Sequence, residues 1–271
     1  MVKRPQRDRP PARRDEAPPP AKPRDAGEIV FGFRAAMAVF DVRPGDLARI
    51  GFARERRRDV EALAAWAAAH RVPCDELPED ELARVSASTH HEGLVVQASP
   101  RKWSSIADFA DAMIRARGFA VALDRVRNPY NVGAILRSAA FFGMQGALLG
   151  AIAPHPALAP DAVRVAEGGA EHLRLARTTD LADTLGRLRG RGLRVVGGES
   201  DATESLFGYP FAAPTVLVLG HEREGLSPAV RAACDAVLAI PGSGKIESLN
   251  VGIAGSLCIA ERARATGVLA K

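Results

Sequence analysis

Three segments carry the polar side chains that could do chemistry in this chain of 271 residues. The first reads NPYN at residues 128–131, with Arg137 about two helical turns later. Arg137 is the one charged residue in an otherwise apolar run over residues 132–144. Burying a charge alone is expensive, so such a side chain is usually paired or functional. We predict a functional Arg137, with a structural ion pair as the alternative, and we expect Asn131 to cap the helix that contains it.

The second segment reads VLVLGHEREGLS at residues 216–227. Gly220 ends an apolar strand, Glu222 lies in the following loop, and a helix capped near Ser227 comes next. Taken alone, Glu222 could be any loop carboxylate. A metalloprotease helix is excluded, because no second His lies four residues after His221.

The third segment, residues 240–261, passes from a strand end through a Gly-rich loop into an apolar helix. Ser248 is predicted to be the N-cap, since its hydroxyl can accept a free amide of the first turn. Asn250 then places a polar side chain in that turn. One helix face is large and apolar and the other is small, which is typical of a helix buried on both sides. The apolar face carries Leu249, Ile253, Leu257 and Ala260, and the small face carries Gly252, Gly255 and Ser256.

Within this segment, PGSGK at residues 241–245 resembles the end of a phosphate-binding P-loop. The full pattern needs Gly five residues before the second Gly, and Ser or Thr after the Lys. Those positions hold Ala239 and Ile246. We therefore set nucleotide hydrolysis aside.

The elements that must position these segments alternate between strand and helix from residue 118 onward. Short apolar strands separated by helices predict a parallel α/β sheet, in which ligands bind beyond the carboxyl ends of the strands. All three segments follow such ends. Strands are predicted at residues 119–123, 147–149, 194–197, 215–219 and 236–240, and helices at 132–142, 160–167, 181–190, 227–233 and 249–265.

Residues 27–99 are predicted to form a separate small α/β unit, joined by a linker helix at 100–117 to a second domain at 118–271. Its helices are expected at 32–42, 57–70 and 78–85, and its strands at 47–52, 72–74 and 93–98. His90, His91 and Glu92 could bind a metal ion, but no further ligand lies at a recognisable spacing. A turn before the last strand is the favoured interpretation, and we predict no metal.

The net charge of +5 is concentrated in residues 1–26, which hold eight basic and four acidic residues and many prolines. Such a segment buries too little apolar surface to order itself, so we predict a disordered basic tail. It serves either to attract nucleic-acid phosphates or to solubilise the chain. The three cysteines are unclustered, and no apolar run is long enough for a membrane span. We expect a cytoplasmic protein without a membrane association.

Together and in this order, the three segments resemble the motifs of the SpoU (TrmH-type) branch of the SPOUT RNA methyltransferases. The small unit, which ends in HHEGLVV, resembles the L30e-like RNA substrate-binding domain that often precedes the catalytic domain. The resemblance covers residues from about 119 to the C-terminus. The matched positions are Asn128, Pro129, Asn131, Val132, Gly133 and Arg137; Gly220, His221, Glu222, Gly225, Leu226 and Ser227; and Ile240, Pro241, Gly244, Ser248, Leu249, Asn250 and Val251.

The resemblance implies S-adenosylmethionine as methyl donor and a ribose 2′-hydroxyl of tRNA or rRNA as acceptor. It also implies a homodimer and a deep trefoil knot, so the implied fold is a knotted parallel-sheet domain behind an L30e-like domain. The donor would be held mainly by backbone groups at Gly220, Ile240 and Leu249. The active side chains would be Asn131, Arg137, Glu222, Ser248 and Asn250.

Within that set, Glu222 is expected to orient Arg137 or to offset its charge. Ser248 and Asn250 can position donor and ribose through neutral hydrogen bonds. The family role of Arg137 is to activate the ribose hydroxyl. A guanidinium is effectively never deprotonated in proteins, so clamping the target phosphate is the alternative.

The chain departs from the family pattern at three places, namely Asn128, Gly242 and the segment AEGGAEH at residues 166–172. The last stands where most relatives carry a Ser-x-Gly-Ala run, which weakens transfer of a specific rRNA target. Two other classes remain open: a non-catalytic RNA-binding protein of the same fold, and an ordinary nucleotide-binding α/β enzyme. The latter needs G-x-G-x-x-G after the first strand, and residues 124–133 lack it.

Overall fold

A computed structural model describes residues 27–150 and 158–268 of the chain. The predicted disordered tail at residues 1–26 lies outside the described residues. Within them, no helix combines the length and the apolar character that crossing a bilayer requires.

The first sheet has four strands in the order β1-β4-β2-β3. Strand β4 is antiparallel to β1 and β2, whereas β2 and β3 are parallel. The sequence missed β1, and the predicted second helix starts later than expected. The elements are β1 (Glu28–Phe31), α1 (Phe33–Val42), β2 (Leu47–Phe52), α2 (Glu61–His70), β3 (Cys74–Glu76), α3 (Glu79–Ser86) and β4 (Leu94–Ala98).

The second sheet has seven strands in the order β7-β6-β5-β10-β8-β11-β9, and all of its paired strands are parallel. The predicted parallel α/β fold is confirmed. Its elements are α4 (Ile106–Ala116), β5 (Phe119–Leu123), α5 (Pro129–Phe141), β6 (Gly146–Gly150), α6 (Pro160–Val165), α7 (Gly169–His172), β7 (Arg174–Thr178), α8 (Leu181–Gly190), β8 (Arg194–Gly198), β9 (Glu204–Ser205), β10 (Thr215–Leu219), α9 (Pro228–Ala232), β11 (Ala236–Ala239) and α10 (Val251–Ala265).

The five predicted strands and five predicted helices of this half are present: β5, β10 and α8 have the predicted ends, and the ends of the others are shifted. The sequence missed β7, β9 and α7. Helices cover both faces of the sheet, which buries the central strands completely. Ile135 of α5 and Ile259 of α10 pack on one face. Phe109 of α4 and Leu185 of α8 pack on the other. This double cover explains why the strands are apolar without alternation. The predicted helix at 100–117 is helical only from Ile106, after the cap Ser105.

Two predicted helix caps are wrong. Helix α5 is capped by Asn128, whose side chain accepts the amide of Tyr130, because Pro129 occupies the first helical position. Helix α10 is capped by Asn250, whose Oδ1 accepts two amides of the first turn. Asn131 and Ser248 are therefore not caps, and Asn131 lies within α5.

Within the single chain, α10 is buried on one side only, so the predicted burial on both sides is not seen there. Its small face packs inward: a Cβ at Gly255 would lie 2.6 Å from Leu219 Cδ1 of β10. On the same helix, Ser256 Oγ lies 2.7 Å from Ser138 Oγ of α5. The large apolar residues Ile253 and Leu257 face outward and are 56% and 39% exposed. The small residues thus serve contact between helices and sheet within one chain.

A buried ion-pair cluster joins the two sheets. Glu171 of α7, whose side chain is 4% exposed, accepts from Arg43 Nε at 2.9 Å and from Arg101 Nη2 at 2.9 Å. Both arginines also contact Glu28 of β1, at 2.9 Å and 2.7 Å. Burial alone would lower the pKa of Arg43, but Glu171, Glu28 and Asp46 raise it overall. Val163 of α6 adds an apolar contact in the core of the first sheet. The two sheets are therefore packed as one body.

Replacement of Glu171 tests this junction. Glu171→Gln leaves two buried guanidinium groups with a single carboxylate, Glu28, facing both. We expect the free energy of unfolding to fall by about 3 kcal/mol, because breaking a buried pair strands a charge. Chemical denaturation measures it. Glu81→Gln, which removes an exposed pair with Arg84, is the control and should cost less than about 0.5 kcal/mol. Equal effects of the two changes would contradict the junction.

Candidate active site

The three polar segments converge at the carboxyl edge of the second sheet. Strands β5 and β10 are neighbours, so the loops that follow them start side by side, and the Asp124 amide donates to Leu219 O at 2.8 Å. Strand β11 is separated from β5 by β8 and β10. With about 4.8 Å between strands, the loop from β11 to α10 crosses about 14 Å of this edge.

A chain of side-chain hydrogen bonds links all three segments. Asn131 Nδ2 donates to Glu222 Oε1 at 2.9 Å. Asn250 Nδ2 donates to Asn131 Oδ1 at 3.1 Å. Asn250 Oδ1 in turn accepts the amides of Gly252 and Ile253, at 2.8 Å and 3.3 Å. Asn131 is only 8% exposed, so its amide is held on both sides in a protected position.

The second loop folds back tightly on itself. His221 and Gly225 exchange backbone hydrogen bonds at 2.9 Å and 3.0 Å. A Cβ at Gly220 would lie 2.3 Å from the carbonyl carbon of Gly225, so no larger residue fits there. Arg125 donates to Glu224 and lowers the pKa of that carboxyl, which ties the loop to the first segment.

Two carboxylates that the sequence did not single out accept backbone amides of this second loop. Asp124 Oδ2 accepts the Ser227 amide at 2.6 Å, and Glu199 Oε1 accepts the Leu226 amide at 3.1 Å. Asp124 is 4% exposed. Their position in the sequence could have indicated them, because Asp124 directly follows β5 and Glu199 directly follows β8.

Arg137 is not paired with Glu222, so the expected orientation of Arg137 by Glu222 is wrong. Arg137 lies six residues beyond Asn131, about 9 Å along the helix axis. Its Nη1 instead contacts Glu167 Oε1 at 2.8 Å, and its side chain is 52% exposed. The partner of Glu222 is Asn131. The charge of Arg137 is thus paired, yet open to solvent.

Ser248 and Leu249 lie in an exposed loop. Among the described residues Ser248 has no hydrogen-bond partner, and Leu249 is 47% exposed. Ile240, directly after β11, is partly buried against the core. Within residues 242–249 of the described chain, only the Lys245 amide donates to a protein atom, at 3.4 Å to Ser243 Oγ. The other amides of this loop are available to a ligand.

These residues fit a nucleoside-type methyl donor. Such a ligand needs backbone donors and acceptors for its base and neutral groups near its sulfonium. The unbonded amides of the third loop supply the first requirement. The amide side chains of Asn131 and Asn250 supply the second. The thiol of Cys258 in α10 is not a rival nucleophile, because burial raises its pKa to about 12.

The His-His-Glu segment lies in the loop that precedes β4 of the first sheet. His91 Nε2 is 3.3 Å from Glu79 Oε2, and His91 Nδ1 accepts the Gly93 amide at 3.2 Å. Over residues 27–150 and 158–268, no three His, Cys, Asp or Glu side chains converge as metal ligands. A cleft of about 410 Å³ beside His91 is lined by Glu55, Arg56, Glu79, Thr89, His91, Glu92 and Gly93.

Comparison with known proteins finds a family model for each of the two regions that contain the sheets. Residues 118–260 match the model of the SpoU rRNA methylase family. Residues 29–104 match the model for RNA 2′-O ribose methyltransferase substrate binding. The chain is 35% identical over 251 residues to a Mycobacterium sp. (strain KMS) protein described as an uncharacterized tRNA/rRNA methyltransferase, covering 90% of this chain and 79% of that one.

Other relatives and solved structures agree. The 23S rRNA (guanosine-2′-O-)-methyltransferase RlmB of Nitrosomonas europaea is 29% identical, over 88% of this chain and 91% of its own. A putative TrmH-family RNA methyltransferase of Porphyromonas gingivalis has 29% identity and a TM-score of 0.68, covering 89% and 90% of the two chains. The SpoU methyltransferase AviRb of Streptomyces viridochromogenes, solved with AdoMet, shares the fold at TM-score 0.74 and 23% identity, covering 89% and 91%.

These matches agree with the fold and with the three linked loops. Together they define a methyltransferase of the parallel α/β type that is preceded along the chain by a substrate-binding domain. The chain belongs to the SpoU rRNA methylase family. The predicted resemblance is confirmed. Of the classes left open by the sequence, these matches support the catalytic one.

The cap assignment gives a direct test of the third loop. Asn250→Ala removes the acceptor for two α10 amides and the donor to Asn131, so we expect a loss of about 1 kcal/mol in the free energy of unfolding. Ser248→Ala should change it by less than about 0.5 kcal/mol, because Ser248 contacts nothing that it would lose. Thermal denaturation of both variants measures this. A larger loss for Ser248→Ala would overturn the assignment.

Proposed function

We propose that this chain transfers the methyl group of S-adenosylmethionine to a ribose 2′-hydroxyl in tRNA or rRNA. The observation that carries the proposal is the hydrogen-bonded chain Glu222–Asn131–Asn250, which joins all three segments at one sheet edge. A non-catalytic RNA-binding protein of the same fold has no need to retain and order these side chains. Relatives named as RNA methyltransferases support the same conclusion.

The methyl donor is proposed to lie between the second and third loops. The backbone of Gly220, Ile240 and Leu249 would bind it, as the family pattern implies. The tight turn at Gly220 and the unbonded amides of the third loop support this placement. The trefoil knot that the family resemblance implies stays a prediction.

When bound, the donor supplies an electrophilic methyl group on a positively charged sulfur. The protein has to orient the ribose oxygen in line with that methyl group and to help remove the hydroxyl proton. The oxygen–methyl bond forms as the sulfur–methyl bond breaks, and the sulfur keeps the electron pair. Asn131 and Asn250 have fixed amides for positioning, and Ser248, exposed on the loop, has a free hydroxyl for the ribose. Glu222 fixes Asn131.

Arg137 is proposed to grip the phosphate beside the target ribose. Its guanidinium stays charged at neutral pH, so it cannot serve as the base. A phosphate oxygen or a water molecule takes the proton instead. The side chain of Arg137 is 52% exposed beside its carboxylate partner, so guanidinium N–H groups remain open to a phosphate.

The RNA is proposed to contact both domains. We propose residues 27–99 as the substrate-binding domain, residues 100–117 as its linker and residues 118–271 as the catalytic domain. Recognition would rest on RNA shape and phosphates, because aromatic residues make up only 5% of the chain. The names of the relatives include both tRNA and rRNA, so the proposed substrate is one of these two classes of RNA.

A homodimer is proposed as the working form, in the cytoplasm. Helices α5 and α10 pack against each other and expose large apolar side chains, of which Phe141 is 80% exposed and Ile253 56%. Large exposed apolar residues on adjoining helices mark an interface with another protein surface. A second copy of the same face is the partner that the family resemblance implies.

Ribose methylation mapping tests the activity. Total tRNA and rRNA from a deletion strain should lack at least one 2′-O-methyl group that the parent carries, and the purified protein with S-adenosylmethionine should restore it. Unchanged ribose methylation, with no transfer in vitro, would refute the proposal. Calorimetry that shows no S-adenosylmethionine binding would favour the non-catalytic alternative.

Arg137→Lys separates the geometry of this side chain from its charge. The change keeps the positive charge but removes the planar fork. We expect kcat to fall by about tenfold or more, which is about 1.4 kcal/mol in the barrier. RNA affinity should stay within about twofold, since most of it comes from charge. Single-turnover methyl transfer and filter binding measure the two quantities. An unchanged kcat would remove Arg137 from the proposed site.

Ile253→Glu tests the dimer face. A charge in an apolar contact is costly to desolvate, so the variant should sediment as a monomer where the unmodified chain sediments as a dimer. Val85→Glu is the matched control, because Val85 is 44% exposed on α3, in the first sheet's domain. A dimer that persists in Ile253→Glu would place the interface elsewhere.

A further inference from the structure

The turn at residues 167–169 lies between the two domains. A Cβ at Gly169 would lie 2.9 Å from Leu136 O and 3.0 Å from the Cα of Arg137, on α5. On the other side, a Cβ at Gly168 would lie 2.8 Å from the Cβ of Ala38, on α1. The turn therefore fits between α5 and α1 with only its backbone. It belongs to the segment that departs from the family's Ser-x-Gly-Ala run.

Glu167 extends from this turn and contacts an arginine of each domain. Its Oε1 forms an ion pair with Arg137 Nη1 at 2.8 Å, and its Oε2 accepts a hydrogen bond from Arg34 Nη1 at 2.8 Å. Glu167 has a φ of 45°, a left-handed conformation that a residue with a side chain rarely adopts without support from its surroundings. The packing of Gly168 and Gly169 provides that support. The position of the carboxylate is thus set by the docked domains.

The two guanidinium groups are open to solvent while they share this carboxylate. The side chains of Arg34 and Arg137 are 70% and 52% exposed, and that of Glu167 is 32% exposed. Two positive charges and one negative charge leave an excess positive charge at the junction. Each guanidinium carries five N–H donors, most of which remain unused here. This is the arrangement that binds a phosphodiester, whose oxygens accept paired N–H groups.

We propose that Arg34, Arg137 and Glu167 form one composite site for an RNA phosphodiester across the domain junction. Glu167 is a positioning residue: it fixes both guanidinium groups before RNA binds. Arg34 is then a substrate-binding residue that the first domain places beside Arg137 of the catalytic domain. The inference rests on the proposed function, since it assigns the RNA contact of Arg137.

Arg34→Ala tests the first domain's contribution. The probe is labelled bulk tRNA from a deletion strain, with binding measured over a range of salt concentrations. Loss of one phosphate contact should weaken binding about three- to tenfold and lower the slope of log K against log salt by about 1. Arg187→Ala is the matched control, because Arg187 is 60% exposed and paired with Asp183 on α8, which covers the opposite face of the sheet. Equal slopes for Arg34→Ala and Arg187→Ala would overturn the composite site.

Glu167→Gln tests the positioning role. The change removes a negative charge beside the site, so tRNA affinity should be equal to or higher than that of the unmodified chain. The value of kcat for methyl transfer to total RNA should fall about tenfold, because Arg137 loses its anchor. A purely structural role would instead lower affinity and melting temperature together, and a normal kcat would also overturn the positioning role.

The proposed function and the phosphate site can be refuted separately. If the unmodified chain transfers no methyl group to total RNA but Arg34→Ala still lowers the salt slope, the proposed function fails and the phosphate site stands. If the unmodified chain is active and Arg34→Ala behaves as Arg187→Ala, this inference fails alone. Melting temperature and donor binding, measured for each variant, confirm that the fold is intact.

Discussion

The amide of Asn131 is the interaction on which the site depends. It has one donor arm and one acceptor arm, and the protein uses each for a different loop: Glu222 on one side and Asn250 on the other. Because Asn131 is buried in α5, leaving either arm unpaired would cost free energy. The same hydrogen bonds that satisfy Asn131 therefore fix the second and third loops relative to α5. The sheet brings three loops to one edge, and this amide fixes their relative positions.

Much of the fold could be predicted because buried elements have a recognisable pattern of apolar residues in the local sequence. Strands buried on both faces are continuous apolar runs, so β5 and β10 were found with correct ends. Strand β7 was missed because it is at the edge of the sheet and carries exposed Arg174 and Arg177. Strand β9 has only two residues, and no periodicity exists at that length.

The site residues were found by resemblance, whereas their contacts were not. Ser248 and Asn250 are both good capping residues, and local sequence cannot decide between them. The hydrogen bond from Asn250 to Asn131, 119 residues away, decides it. Pro129 was a usable local signal that Asn128 is the cap of α5. The pairing of Arg137 with Glu167 depends on how a turn packs between two domains, which no spacing in the sequence encodes.

The buried cluster of Glu28, Arg43, Arg101 and Glu171 fixes the distance between the first sheet and the carboxyl edge of the second sheet. The two domains therefore cannot move independently of each other. Under the proposal that both domains contact RNA, such a fixed arrangement would favour an RNA whose two contacted parts are separated by a matching span and angle.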